Sequence, residues 1–245
     1  MERRGPTGRK VRRRTGLGAG RWALRLLAAW VVVTVLPVLV LRFVDPPTSA
    51  FMFERRLAAA RAGEKKFELQ YQFVPMSRIS PHLVRALIAA EDAKFKEHRG
   101  FDWDAMEAAL EDRLDGKSKR GGSTLTQQVA KNLFLWPARS YVRKALEAYF
   151  TVLLEVLWSK QRILEVHLNI AEYGDGVYGV EMASRRFFGK SAAAVTLEEA
   201  SQLVVVLPAP KSRRPNALSA KSLERAAWVR EQIDRLGPER FEGLR

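Results

Sequence analysis

The 245-residue chain contains no cysteine. Disulfide bonds and thiolate chemistry are therefore excluded, and cysteine usage does not reveal the redox compartment. Long Ser/Gly or Gln/Asn tracts and internal repeats are also absent, which argues against low-complexity and solenoid architectures. No stretch alternates polar and apolar residues convincingly, so the sequence predicts no β-strand.

Acidic residues are scarce relative to basic ones. The chain has 27 Asp and Glu against 42 Lys and Arg, which gives a formal net charge of +15. A surface this basic favours anionic partners: nucleic acid, anionic lipid or phosphorylated ligands. The length suits one short membrane anchor and one globular domain large enough to bury a core.

The N-terminal part combines a basic segment with a long apolar one. Residues 1–21 are rich in arginine and glycine and lack apolar periodicity, which predicts a disordered tail. Residues 22–44 are almost wholly apolar, and about 20 such residues span the hydrocarbon core of a bilayer. The preceding arginines predict a single-pass anchor with a cytoplasmic N-terminus and the rest of the chain on the outer face.

A cleaved signal peptide is the alternative interpretation of this apolar segment. Its hydrophobic core would usually be shorter and would end in small residues at a cleavage site. The residues that follow, Asp45, Pro46 and Pro47, match such a site poorly. The sequence therefore favours the anchor.

Beyond the anchor the signals are helical. Ser80 followed by Pro81 is typical of a helix start. Capping-box patterns and a further N-cap predict other starts, and a last amphipathic helix is expected over residues 222–236; the capping residues are Asp102, Thr124 with Gln127, and Thr196 with Glu199. We predict a compact all-α domain over residues 45–245.

Glu91 ends the helix that begins at Pro81. It lies on the same helical face as Val84, Leu87 and Ile88. Burial against that face and the negative end of the helix dipole would both raise its pKa, which suits general acid or base chemistry. The alternative is a structural glutamate at the core boundary, paired with a lysine or arginine.

Two further segments are candidates for binding anions. Residues 121–128 place two glycines before a capped helix, with Lys131 about two turns inside it, and helix N-termini bind anions. Such a junction is also common without any ligand. Arg139, Arg143, Lys144 and Glu147 form either a surface salt-bridge ladder or a cleft wall, and their spacing does not choose between these.

Glycines and histidines give weaker signals. Gly174, Gly176 and Gly179 interrupt two helices, which is compatible with a simple connector. The three histidines have no metal-ligand spacing with one another, so a structural role is assumed for each; they are His82, His98 and His167.

Four segments, taken in order, resemble the peptidoglycan glycosyltransferase domain, glycosyltransferase family 51. EDAKFKEHRG at 91–100 resembles the motif E-D-x-x-F-x-x-H-x-G, and GGSTLTQQVAKNLFL at 121–135 is similar to the second motif. RKALE at 143–147 and ILEVHLN at 163–169 resemble the third and fourth. The resemblance covers residues 75–215 or so. His167 departs from it, since a Tyr is usual there, and we assign that position to packing.

The resemblance implies a lysozyme-like, all-α glycosyltransferase domain that polymerises lipid II and releases undecaprenyl pyrophosphate. The sequence shows no transpeptidase domain, and in this respect it resembles the monofunctional members of the family. Glu91 would be the catalytic base of an inverting displacement. The residues implied to bind substrate and pyrophosphate are Ser123, Thr124, Gln128, Lys131, Arg139, Arg143 and Lys144. Glu147 would orient the sugar or hold Mg or Mn on the pyrophosphate, although no spacing indicates a metal.

The same resemblance implies a location and partners. The chain would be anchored in the bacterial inner membrane with its catalytic domain in the periplasm. Lipid II, the growing glycan chain, membrane lipids and other cell-wall synthesis and division proteins are the expected partners, rather than nucleic acid.

Two other functions remain possible from the residues. A lysozyme-like domain could cleave glycan strands with a glutamic acid, but a hydrolase has no pyrophosphate for the basic motifs to hold. A non-enzymatic anchor could bind nucleic acid or cell wall through its basic surface, but it would have no use for Glu91 on an apolar face.

Overall fold

The structure, a computed structural model, describes residues 16–116, 121–138 and 140–244. The chain divides into two compact units, Met1–Val40 and Leu41–Arg245. Each unit is described by itself.

Helix α1 (Gly16–Leu41) accounts for the described part of the first unit. The prediction of a disordered tail is wrong for residues 16–21, because a helix extends at little cost once it has been nucleated; residues 1–15 lie outside the described residues. The stretch Gly20–Leu41 has a mean hydropathy of 2.4 and is long and apolar enough to cross a membrane. This stretch begins two residues before the start of the predicted anchor and ends three residues before its predicted end.

The second unit is mostly helical, as predicted. Its helices are α2 (Ala50–Arg61), α3 (Pro81–Glu91), α4 (Trp103–Leu114), α5 (Leu125–Phe134), α6 (Tyr141–Leu157), α7 (Lys160–Ile170), α8 (Val180–Phe188), α9 (Leu197–Val206) and α10 (Ala220–Leu236). Short 3-10 turns lie at Met76–Arg78, Ala192–Ala194 and Pro238–Arg240.

The predicted helix starts are confirmed by side-chain caps. Ser80 accepts a hydrogen bond from the backbone of His82, and Pro81 is the first residue of α3. Both capping boxes form at α5 and α9. The last helix begins two residues earlier than predicted, because Ser219 is its N-cap.

A small sheet contradicts the prediction that the domain contains no strand. It comprises β1 (Gln70–Tyr71), β2 (Glu172–Gly174) and β3 (Val177–Tyr178) in the order β1-β3-β2. β1 runs parallel to β3, and β2 runs antiparallel to it. Strands of two or three residues are too short to display an alternating pattern, which is why the sequence does not reveal them.

Glycine at 176 is required between β2 and β3. Its φ is +73°, and a Cβ there would lie 2.7 Å from the ring of Phe67. Only a residue without a side chain adopts this conformation at so close an approach. The glycine-rich segment is therefore an ordered turn of the sheet.

Helix packing brings the ends of α3 and α5 together. α3 packs against α9 and α10, while α5 packs against α6 and α7. Directly after α3, the Asp92 carboxylate accepts a hydrogen bond from the backbone N–H of Leu125 (2.9 Å), the first residue of α5. Its other oxygen lies 2.8 Å from Nε2 of His98. The carboxylate thus joins the two helices on which Glu91 and Gln128 lie.

Candidate active site

Glu91 lies partly buried at the end of α3, on the helical face that also carries the buried side chains of Val84, Leu87 and Ile88. Its Oε2 accepts a hydrogen bond from Nε2 of Gln128 (2.9 Å). Burial raises the pKa of Glu91, and the Gln128 hydrogen bond and the charges of Arg225 and Lys131 oppose that rise. The direct partner is therefore a neutral amide, which argues against a simple structural ion pair.

Gln128 also connects Glu91 to His167 on α7. Oε1 of Gln128 lies 3.0 Å from Nε2 of His167, whose side chain is 1% exposed. Burial and the nearby charge of Lys131 lower the pKa of His167 to about 3, so the ring is neutral. The assignment of this position to packing is incomplete, because the sequence does not reveal a contact between residues 39 positions apart.

Lys131 interacts electrostatically with two carboxylates, those of Glu147 and Glu91. Burial lowers its pKa, while the negative charges of Glu147 and Glu91 oppose that shift. Among the residues that the structure describes, none forms an ion pair with its ammonium group. Lys131 is therefore free to meet an anion that enters the site.

Glu147 forms the centre of the predicted basic cluster on α6. Its side chain is 3% exposed, Nη1 of Arg143 donates to one oxygen (2.7 Å), and Nζ of Lys144 donates to the other. The ladder is thus present, with a buried carboxylate at its centre. Arg139, predicted to join this cluster, lies outside the described residues.

The resemblance implied that Glu147 could hold a divalent cation, and each of its oxygens accepts a hydrogen bond from a basic side chain. A carboxylate oxygen has more than one lone pair, so a metal ion bound here would share Glu147 with Arg143 and Lys144. Within residues 16–116, 121–138 and 140–244, no group of three or more His, Cys, Asp or Glu side chains could hold a metal ion.

Hydrogen bonds within the chain occupy part of the start of α5, which the glycines made a candidate anion site. The carboxylate of Asp92 already occupies the N–H of Leu125, and Thr124 caps the N–H of Gln127. The Thr124 hydroxyl also donates to the carbonyl of Gly100 (2.7 Å), so this buried side chain fixes the helix start. Ser123, in contrast, is exposed.

A cavity of about 450 Å³ adjoins these groups. Gln128, Lys131 and His167 line it, together with residues from three other parts of the domain: Phe51, Glu172 and Lys211. Since Gln128 also contacts Glu91, the carboxylate adjoins this wall. The site therefore combines a carboxylate of raised pKa, an unpaired ammonium and a space large enough for a ligand.

A carboxylate of raised pKa and a buried lysine near one cavity are features that are typical of enzyme active sites. Residues 59–234 match the family model described as Transglycosylase. The chain is also similar to proteins named biosynthetic peptidoglycan transglycosylase. The relative from Shewanella oneidensis is 46% identical over 216 residues, covering 88% of this chain and 91% of that protein.

Two further relatives carry the same name. The Ectopseudomonas mendocina protein is 48% identical and the Xanthomonas campestris protein 46% identical, over 217 and 220 residues. Each alignment covers 89% of this chain. The alignments cover 89% of the Ectopseudomonas mendocina protein and 88% of the Xanthomonas campestris protein. The chain belongs to the biosynthetic peptidoglycan transglycosylases and is a glycosyltransferase of peptidoglycan synthesis.

Proposed function

We propose that this transglycosylase polymerises lipid II into linear glycan strands and releases undecaprenyl pyrophosphate. The observation that carries the proposal is the sheltered position of Glu91, which is joined through Gln128 to the cavity that Lys131 lines and which interacts electrostatically with that lysine. One group accepts a proton and the other meets negative charge. Polymerisation from a pyrophosphate-linked sugar needs both at once.

Glu91 is the general base in this proposal. One of its oxygens accepts the proton of the 4-hydroxyl on the GlcNAc of the acceptor. The hydroxyl oxygen then attacks the anomeric carbon of the lipid-linked chain, and the bond from that carbon to the pyrophosphate oxygen breaks. The α-linked donor becomes a β-linked product. The raised pKa of Glu91 supports this role, because a stronger base takes the proton more readily.

Lys131 stabilises the departing pyrophosphate, with Arg143, Lys144 and Arg139 as further cations and Ser123 as an exposed polar contact. Cations near developing negative charge are among the largest contributions to catalysis. Glu147 balances the charges of Arg143 and Lys144 and holds them in place.

The anchor and the charge support a location at the membrane surface. One apolar helix precedes the catalytic domain, and the net charge of +15 favours anionic headgroups. We propose that the N-terminus is cytoplasmic and that the domain faces the periplasm, where it meets lipid II, the growing chain and other cell-wall synthesis and division proteins. Family membership argues against glycan hydrolysis as the main activity.

Substitution Glu91→Gln tests the proposal, because it keeps the acceptor for Gln128 and removes the base. We expect the rate of lipid II polymerisation by the full chain in detergent to fall by at least about 10²-fold. Glu198→Gln, at an exposed glutamate in the first turn of α9, is the matched control and should retain the wild-type rate. Near-normal polymerisation by Glu91→Gln would show that Glu91 is not the base. Wild-type protein that makes no polymer would refute the proposal that lipid II is the substrate.

A further inference from the structure

We propose that His167 is a positioning residue, which fixes the side-chain amide of Gln128 so that its NH₂ group faces Glu91. This inference rests on the proposed role of Glu91 as the base. It concerns two consecutive hydrogen bonds: His167 Nε2 to Gln128 Oε1 (3.0 Å) and Gln128 Nε2 to Glu91 Oε2 (2.9 Å).

The orientation of the Gln128 amide decides whether its NH₂ group or its carbonyl oxygen faces the Glu91 carboxylate. A side-chain amide has a donor and an acceptor that exchange places when it turns by 180°. In the opposite orientation, the carbonyl oxygen of Gln128 would face the carboxylate, and its NH₂ group would face the N–H of His167. Both contacts would be repulsive. One orientation therefore satisfies Glu91 and His167 together, provided that His167 carries its proton on Nε2.

The surroundings of His167 favour that tautomer. The ring is buried, and Nδ1 has no hydrogen-bond partner among the described residues. A proton on Nδ1 would leave a buried donor without an acceptor and would place the lone pair of Nε2 against Gln128 Oε1. A second proton is disfavoured as well, because burial and Lys131 lower the pKa of the ring to about 3. The neutral Nε2–H form remains.

The consequence for Glu91 is electrostatic. The charged and titratable groups around it are Lys131 on α5, Arg225 on α10, Asp92 after α3 and Tyr173 on β2. The hydrogen bond from Gln128 is the contribution that depends on His167, and it favours the ionised carboxylate. Without His167, Gln128 can turn or move into the adjoining cavity. Glu91 then needs a higher pH to ionise and act as a base.

The test compares His167→Met with His167→Gln. A glutamine amide places a donor at nearly the distance from Cβ that Nε2 has, whereas methionine has similar length and no donor. For His167→Met, we expect the acidic limb of the polymerisation pH profile to move up by about one pH unit, which is about tenfold lower activity on that limb. The loss should lie in kcat, with little change in KM for lipid II, and His167→Gln should restore most of it.

A merely structural histidine would give a different pattern. If His167→Met lost activity equally at every pH, or if His167→Gln were as impaired as His167→Met, the inference would be overturned. Thermal unfolding midpoints of the two variants are compared in parallel, since similar midpoints exclude a difference caused by packing.

A second readout does not depend on activity. The chain has three histidines, so ¹⁵N-histidine NMR of the full chain in detergent, with His167→Met for assignment, reports the state of each ring. We expect His167 to be neutral and protonated on Nε2 between pH 5 and 8 or so. A proton on Nδ1 would overturn the inference. An enzyme that fails to polymerise lipid II would instead refute the proposed function and leave this readout intact.

Discussion

Glu91 and Glu147 are both sheltered carboxylates that interact electrostatically with Lys131, yet their surroundings differ. Glu147 receives hydrogen bonds from two cations, Arg143 and Lys144. Glu91 receives one from the neutral amide of Gln128. The charge of Glu147 is therefore balanced by its own helix, whereas the cations that act on Glu91, Arg225 and Lys131, lie on two other helices.

This difference assigns the two carboxylates different tasks. A carboxylate whose two oxygens both accept hydrogen bonds from cations fixes the positions of those cations. A carboxylate raised in pKa by burial binds a proton more readily. Glu147 is accordingly suited to holding cations in place, and Glu91 is suited to exchanging a proton with a substrate.

The largest expected effect in this comparison is a loss of folding stability when Glu147 is replaced. Substitution Glu147→Gln leaves Arg143, whose side chain is only 11% exposed, without a counter-ion. We expect it to lower the free energy of unfolding by about 3 kcal/mol, as for other broken buried pairs. Urea unfolding of the full chain in detergent measures this. A loss below about 1 kcal/mol would mean that the pair contributes little.

The matching substitution at the other carboxylate, Glu91→Gln, should raise the free energy of unfolding, by less than Glu147→Gln lowers it. Because the pKa of Glu91 is raised above 4.5, the folded chain binds that proton more tightly than the unfolded chain does. The ionised group therefore costs stability at pH 7.5, and Glu91→Gln should unfold at higher urea than wild type. The advantage should shrink as the pH is lowered towards 4.5. An advantage that stays constant or grows on acidification would contradict the assignment.

The sequence predicts local features of this molecule well. Apolar periodicity and cap residues act within a few positions, so helices α3, α5, α9 and α10 are found close to where the sequence places them. The spacing within α3 also identifies Glu91, since residues on one helical face share one environment. The lysozyme-like topology and the roles of the site residues stay predictions.

Contacts between distant segments are what the sequence did not reveal. Asp92 occupies the start of α5, and His167 on α7 contacts Gln128, because of how the helices pack. Neither pairing has a local pattern. Arg225 likewise influences the pKa of Glu91 from the far end of the chain. Such effects arise from tertiary structure, which spacing within one helix does not encode.

The smallest predicted effect lies within the Glu147 cluster. Lys144 and Arg143 both donate to Glu147, but the Lys144 side chain is 48% exposed and Arg143 is 11% exposed. Water screens and replaces the exposed partner, so Lys144→Ala should lower the unfolding free energy by no more than about 0.5 kcal/mol. Arg143→Ala is the matched reference and should cost about 2 kcal/mol. Equal losses in the two variants, measured by the same urea unfolding, would show that burial does not distinguish the two cations. Because this loss in stability is small, Lys144→Ala also separates the fold from the chemistry: a lower rate of polymerisation in this variant would then report the missing positive charge at the pyrophosphate.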